Sequence, residues 1–300
     1  MIVYYDSGGR LFTAYFKENG QECVQQLRYL LPGSIGRCLC RKTPLALMLR
    51  RFPDVDPSDG RIIVFDTRTP ASYIEKLRHI YPEKEIVFWF WNPVNDNNRV
   101  ILDRVRKIVP VWSYSPDDCR QYDLKYNTQF YFDSLIPEQF PETHNAVPKA
   151  FFLGRSKSAR AHVLDRIISE LRENGVEVES IITKPRHKDF RQQLFREKLI
   201  PYSTVLEKTR NADILIDCYG RDRAGCSLRV MEAMFFGKKL ITDNLALAEY
   251  DFYDSHNIYI TGKDNRSLKE FIEVPVRPVP EEIRNRYRFS AWLERFSEKD

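Results

Sequence analysis

Short apolar runs, bounded by turn residues and separated by amphipathic stretches of helix length, recur along this chain and constrain its fold more than any other feature. Residues 61–65 read RIIVF, residues 85–91 read EIVFWFW and residues 212–218 read ADILIDC. Runs this apolar, without polar alternation, belong to strands buried on both faces, the condition of a parallel sheet. Between them lie stretches such as Pro70–Ile80, with Tyr73, Ile74, Leu77 and Ile80 on one helical face. Strand, helix and strand in succession make βαβ units and predict an α/β protein.

The first half begins with a short strand over Ile2–Tyr5 that runs into a loop at Asp6–Gly9. Leu11–Phe16 also reads as a strand. Gln21–Leu31 reads as a helix stopped by Pro32 and Gly33. Val100–Ile108 is helical, Val109–Ser113 a strand, Pro116 opens a short helix, and Thr128–Phe132 is a further strand. Leu135–Lys149 breaks the pattern with Pro137, Pro141 and Pro148 and reads as a linker. The alternation then restarts: strand at Ala150–Leu153, helix at Ser156–Asn174 stopped by Gly175, strand at Val176–Ile182, helix at Tyr202–Thr209. It continues through the ADILIDC strand, a helix over Cys226–Phe236 stopped by Gly237, and a strand at Lys239–Thr242. The predicted organisation is a doubly wound domain over residues 1–140, a second over 150–280, and a helical segment over 281–300.

A length of 300 residues agrees with two domains at about 150 residues each. A net charge of +5, with both signs interleaved, argues against a nucleic-acid partner. No apolar run approaches a membrane span, and the start MIVYYDSGG lacks a basic flank ahead of an apolar segment, so a cytoplasmic location is expected. The six cysteines are scattered and read as reduced thiols. Cys38-x-Cys40 has no second ligand pair at zinc spacing, and the one Asp-x-Asp, at Asp54 and Asp56, lies in a turn among prolines; no metal site is expected.

In open α/β sheets ligands bind beyond the carboxyl ends of the strands. That rule selects Gly154-Arg155-Ser156-Lys157-Ser158 and the loop from Tyr219 to Ser227, each of which follows a strand and opens a helix. Unpaired amides and a partial positive charge at a helix start suit a phosphate, and glycine permits close approach. Gly225 and Ser227 stand at such a start, where Ser227 serves as an ordinary cap or as a phosphate contact. Arg229 and Glu232, three residues apart among Val230, Met231, Ala233 and Met234, need partners in an otherwise apolar helix. Two readings follow. They pair with each other, or Arg229 meets phosphate while Glu232 accepts from sugar hydroxyls.

The segments Gly225-Cys226-Ser227-Leu228-Arg229-Val230-Met231-Glu232-Ala233 and Gly237-Lys238-Lys239-Leu240-Ile241-Thr242-Asp243-Asn244 resemble the donor-site region of GT-B-type glycosyltransferases of bacterial capsular and lipopolysaccharide biosynthesis. Phe152–Arg155, Tyr202–Glu207, Tyr250–Tyr253, His256–Ile258 and Trp292-Leu293 agree with that family, as do Val64–Asp66, Phe90–Pro93 and Tyr122–Phe132. The resemblance implies two Rossmann-like domains facing a cleft and a nucleotide-sugar as substrate, with no further cofactor. It implies that Gly154, Arg155, Gly225, Ser227 and Arg229 hold the diphosphate and that Glu232 takes ribose or sugar hydroxyls. Many retaining enzymes of this fold carry two glutamates eight residues apart; Glu232 matches the second, and Ala224 stands at the first. In an inverting enzyme the base would come from the first domain, with Asp66 and Asp6 at strand ends as candidates and Asn92 as a sugar contact.

The implied activity is transfer of a sugar to a glycan or lipid-linked acceptor in surface polysaccharide assembly. Residues 37–52, RCLCRKTPLALMLRRF, combine basic and apolar residues suited either to a core helix or to peripheral contact with the inner membrane face. A non-catalytic sugar-nucleotide-binding subunit, or a transferase of another activated group, are the competing readings. A nicotinamide dehydrogenase is disfavoured, because no Gly-x-Gly-x-x-Gly follows a strand.

Overall fold

A computed structural model describes residues 2–4, 12–21, 23–25, 60–66, 69, 71–141, 145–155, 158–183, 194–196, 200–219 and 225–297. The chain divides into two compact units, residues 1–128 and 129–300.

The first unit runs β1 (Ile2–Tyr4), α1 (Thr13–Glu18), β2 (Cys23–Gln25), β3 (Arg61–Phe65), α2 (Ala71–Ile80), β4 (Glu85–Phe90), α3 (Asp96–Val105), β5 (Val111–Ser113), α4 (Pro116–Tyr122) and β6 (Lys125–Tyr126). Its sheet has the order β2-β1-β3-β4-β5-β6, and every pairing is parallel. The apolar runs of β3 and β4 are buried as their composition requires. Ile62, Val64, Phe88 and Phe90 form one core with Tyr73, Ile74 and Leu77 of α2. Ser115 starts α4 by accepting the Asp118 amide at 3.2 Å, with Pro116 in the first turn.

Two expectations fail near the start. The segment read as a strand over Leu11–Phe16 forms α1 from Thr13 onward, and β2 lies where a helix was expected from Gln21. Tertiary packing decides the first case. Phe12 and Phe16 stand four residues apart and meet Trp91 and Phe65 at ring distances of 5.3 and 5.6 Å. A helical turn brings both rings to one side, so packing overrides β propensity.

The second unit runs β7 (Lys149–Arg155), α5 (Ser158–Glu173), β8 (Glu177–Thr183), β9 (Leu194–Arg196), α6 (Tyr202–Asn211), β10 (Ile214–Asp217), α7 (Leu228–Phe235), β11 (Lys239–Thr242), β12 (Ile258–Ile260), α8 (Leu268–Glu273), α9 (Glu281–Arg286) and α10 (Phe289–Arg295). The sheet order is β9-β8-β7-β10-β11-β12, again parallel throughout. Counted within the unit this is 3-2-1-4-5-6, the Rossmann order, with its switch point between β7 and β10. Helix α5 lays Ala161, Leu164, Ile168 and Leu171 on Ala150, Phe152, Ile214 and Ile216. Helix α7 is followed by Gly237 at φ +62, where a Cβ would stand 2.9 Å from the Phe140 ring. Both the backbone and the space exclude a side chain there.

The division at residues 128/129 precedes the proline-rich stretch that reads as a linker, because an aromatic segment ties residues 129–132 into the second unit. Phe130 lies 4.6 Å from the Trp292 ring and 5.1 Å from that of Phe289. The Tyr131 amide donates to the Tyr287 carbonyl at 2.8 Å, and its carbonyl accepts from the Phe289 amide at 2.9 Å. Thr128–Phe132 is therefore an extended segment with a single bridge to Arg288, and the paired strand is β6. The same bridge interrupts the C-terminal helical segment, which forms α9 and α10 on either side of Tyr287 and Arg288. Among the described residues no helix is long and apolar enough to cross a membrane.

Candidate functional site

In the second unit Gly154 and Arg155 end β7 and Asp217 ends β10, at the switch point. Ser227 caps α7, its Oγ accepting the amides of Arg229 at 3.0 Å and Val230 at 3.3 Å. The same hydroxyl donates to Oδ2 of Asp217 at 2.8 Å. The carboxylate thus fixes the start of α7 on the end of β10. Burial raises the Asp217 pKa, opposed by the Ser227 and Tyr219 hydrogen bonds and by the charges of Arg229 and Arg160. Buried Asn244, just beyond β11, donates to the Gly225 carbonyl at 2.9 Å, and Asp243 accepts the Tyr219 amide at 2.8 Å. The sequence rule places Gly154, Gly225 and Ser227 at strand ends or helix starts, and the structure has them there.

Gly154 is hemmed in from within the protein. A Cβ there would collide with the guanidinium of Arg160 and stand 2.7 Å from the Phe152 ring. Arg160, in the first turn of α5 and nearly buried, lies 5.9 Å over that ring. The backbone of Arg155 closes β7; its side chain lies outside the described residues, as do Lys157, Arg221 and Arg223.

Arg229 and Glu232 form an ion pair along one face of α7, which settles one of the two readings of their spacing. Nη1 of Arg229 also donates to Thr209 Oγ1 at 3.1 Å, and the guanidinium lies 5.2 Å over the Phe151 ring. Glu232 is 2% exposed and accepts the Tyr202 hydroxyl at 2.7 Å. The Tyr202 oxygen stands 3.4 Å from that of Tyr131. Burial raises the pKa of Glu232, while Arg229 and the Tyr202 hydroxyl hold it down. Tyr131 and Tyr202 are likewise pushed up, by burial first and then by the nearby Glu232 charge.

In the first unit the strand order reverses between β1 and β3, and Asp66 follows β3 directly. Its Oδ1 accepts the Trp91 amide at 3.0 Å, and Asn92 Nδ2 donates to the two carboxylate oxygens at 3.2 and 3.3 Å. Burial raises the Asp66 pKa to about 7 against those hydrogen bonds. Asp66 and Asn92, singled out separately in the sequence, therefore form one unit of structure. Trp89 is fully buried in the sheet, whereas Trp91 lies beyond the strand and is partly exposed. Asp117 pairs with Arg120 on the surface, and Asp118 turns inward. Asp6 and residues 37–52 lie outside the described residues.

Asp217 and Arg160 are contributions to which the sequence did not point; Tyr202 and Asn244 stand in the segments that carry the resemblance, and Asp118 reads as a helix-cap residue, whereas Ser115 caps α4 and the Asp118 side chain turns inward to the loop after β4. A local signal was available for Asp217, which ends the ILID strand, and for Asn244, two residues beyond KLIT, so both are polar groups at strand ends.

No protein-family model matches the chain, and no curated protein matches it in sequence. Solved structures do match in fold. The lipopolysaccharide outer core galactosyltransferase WaaB, in its apo form, superposes with a TM-score of 0.52 at 14% identity, over 99% of this chain and 98% of that one. The chain has the GT-B fold. A glycosyltransferase from Rickettsia africae gives a TM-score of 0.58 at 11% identity, covering 99% of this chain and 96% of the other. An alpha-glucosyltransferase in complex with UDP gives 0.56 at 10% identity, with 99% and 98% covered. At these identities the likeness describes the fold.

Proposed function

We propose that this protein is a glycosyltransferase that moves a sugar from a nucleotide-activated donor to a glycan or lipid-linked acceptor in bacterial surface polysaccharide biosynthesis. The observation that carries the reading is the Ser227-capped start of α7 beside the switch point of a Rossmann sheet. The UDP held by the alpha-glucosyltransferase and the lipopolysaccharide role named for WaaB support the donor and acceptor classes.

In this reading the backbone at Gly154 and Gly225, with Ser227, Arg155 and Arg229, receives the diphosphate. Among the described residues Nε and Nη2 of Arg229 make no hydrogen bond and supply donors, while Nη1 stays with Glu232 and Thr209. Glu232 is then a positioning residue that sets the guanidinium plane, and its burial assigns it no direct sugar contact. In an inverting reaction Asp66 takes the acceptor proton as the acceptor oxygen bonds to the anomeric carbon, and the nucleoside diphosphate leaves with the electrons of the broken C–O bond. Asn92 contacts a sugar hydroxyl. Arg229 and the positive end of the α7 dipole meet the charge on the leaving group, so this reading needs no divalent ion. The protein works at the cytoplasmic membrane face, where lipid-linked acceptors are reached.

A thermal-shift panel of nucleotides and nucleotide-sugars, followed by transfer assays with the donors that bind, tests this. One base class should stabilise the protein, and Arg229→Ala should abolish that shift. Binding without turnover on any acceptor supports a non-catalytic binding subunit; no shift with any nucleotide overturns the donor site.

A further inference from the structure

We infer that Asp118 is a positioning residue for the Asp66 carboxylate, acting through the loop that follows β4. The inference rests on the reading of Asp66 as the proton acceptor only for its functional meaning; the structural link stands on its own.

Asp66 owes its environment to two groups of one short loop, the Trp91 amide and the Asn92 side chain. That loop, residues 91–95, has no strand partner beyond Phe90 and must be fixed by other means. Asp118 supplies them. Although it lies within a surface helix, its side chain is turned inward and the residue is 6% exposed. Its Oδ2 accepts the Val94 amide at 2.9 Å and stands 3.4 Å from the Ser113 hydroxyl. Ser115 Oγ accepts the Asp118 amide at 3.2 Å, and the Ser115 amide donates to Ser113 Oγ at 3.1 Å. The acceptor is thus locked at the end of β5, two residues from Asn92 along the loop it holds. Pro93, between Asn92 and Val94, limits the ways the loop can relax while Val94 stays tethered. On the far side, Asn98 Nδ2 donates to the Pro93 carbonyl at 3.1 Å, so α3 holds the same segment.

A carboxylate is the suitable acceptor for this tether, because hydrogen bonds to an ionised group are stronger than neutral ones. Burial raises the pKa of Asp118, opposed by the Val94 amide and the Ser113 and Ser115 hydroxyls. The titratable neighbours on its own helix are Asp117 and Cys119, whose thiol lies 3.7 Å from the Ser113 carbonyl. No arginine or lysine pairs with Asp118 among the described residues, so its interactions run to the loop and to the two serines.

The test uses the full chain with 13C-labelled aspartate and 15N-labelled backbone. In Asp118→Ala the Asp66 carboxyl should titrate away from its wild-type position, because the loosened loop changes both the hydrogen bonds it receives and its exposure to water. Exchange of the Trp91 amide proton should quicken about tenfold, the scale of one hydrogen bond to a charged group. Asp118→Asn, which keeps an acceptor oxygen for Val94, should restore most of both. If Asp118→Ala does not fold, Asp118→Asn carries the test alone, with a smaller change in both signals. A folded variant in which only the Val94 amide exchanges faster, with Trp91 and Asp66 unmoved, overturns the inference. Asp66→Asn tests the catalytic reading separately: full transfer activity in that variant removes Asp66 as the base and leaves the tether intact.

Discussion

Asn92 Nδ2 lies 3.2 Å from Oδ2 and 3.3 Å from Oδ1 of Asp66, spanning the carboxylate with one amide group. The carboxyl nevertheless sits near neutrality, at about 7, because desolvation outweighs the bonds it receives. A group so placed gains and loses its proton in the range where a general base is useful. As the base, it must be ionised to act. Thus kcat/KM for transfer should rise with pH through about 7 and level above it. Asp66→Asn should remove that limb and lower the rate by about 10²- to 10⁴-fold. Steady-state assays from pH 5 to 9 check both.

The same shift has a consequence for stability that needs no substrate. Asp66 holds its proton more tightly in the folded chain than in the unfolded one, where 3.8 applies. Its contribution is therefore fully present below pH 3.8 and is lost as pH rises through about 7. Asp66→Asn keeps a neutral side chain at all pH values. Its melting temperature relative to the wild type should climb between pH 5 and 8. A constant difference across that range would count against a protonated Asp66.

The Arg229–Glu232 pair changes what substitution there can mean. Removing Arg229 leaves a buried carboxylate with Tyr202 as its remaining hydrogen-bond donor. Breaking one side of such a pair costs about 3–5 kcal/mol, so Arg229→Ala should lower the melting temperature as well as weaken donor binding. Glu232→Gln retains the shape and an acceptor for Tyr202 and should be milder. The double variant Arg229→Leu with Glu232→Leu should recover much of the lost stability, because no charge remains buried. A double-mutant cycle followed by chemical denaturation measures the coupling.

Much of this molecule is legible in its sequence. RIIVF, EIVFWF and KLIT become β3, β4 and β11 because unbroken apolar runs have few other places to go. Asp66 is legible as a carboxylate at a strand end and Asn92 as the polar residue after four aromatics, but nothing local says that the two touch. What the sequence concealed is contact across long separations. Phe12 and Phe16 read as strand residues until Trp91 and Phe65 are known to face them. Tyr131 breaks a helix begun 150 residues later, and nothing local to Tyr287 announces the break. Glu232 shows the same limit within the site. Its spacing from Arg229 is written in the sequence, whereas Tyr202, which completes its burial, comes from another helix.

Ser227 joins two effects that a pair of substitutions separates. As a helix cap it satisfies the amides of Arg229 and Val230, and its loss to alanine costs about 1 kcal/mol, while glycine in the same place costs a few tenths. As a donor to Asp217 it also supports a half-buried carboxylate, and that support vanishes in both variants. Ser227→Gly should therefore be destabilised well beyond the capping difference, by about 1–3 kcal/mol for the unsatisfied acceptor. Asp217→Asn should be tolerated better in the Ser227→Gly background than in the wild type, since the neutral amide no longer needs the hydroxyl. Urea denaturation of the four proteins at pH 8 measures this. Additive losses would show that Asp217 and Ser227 do not act as one device at the start of α7.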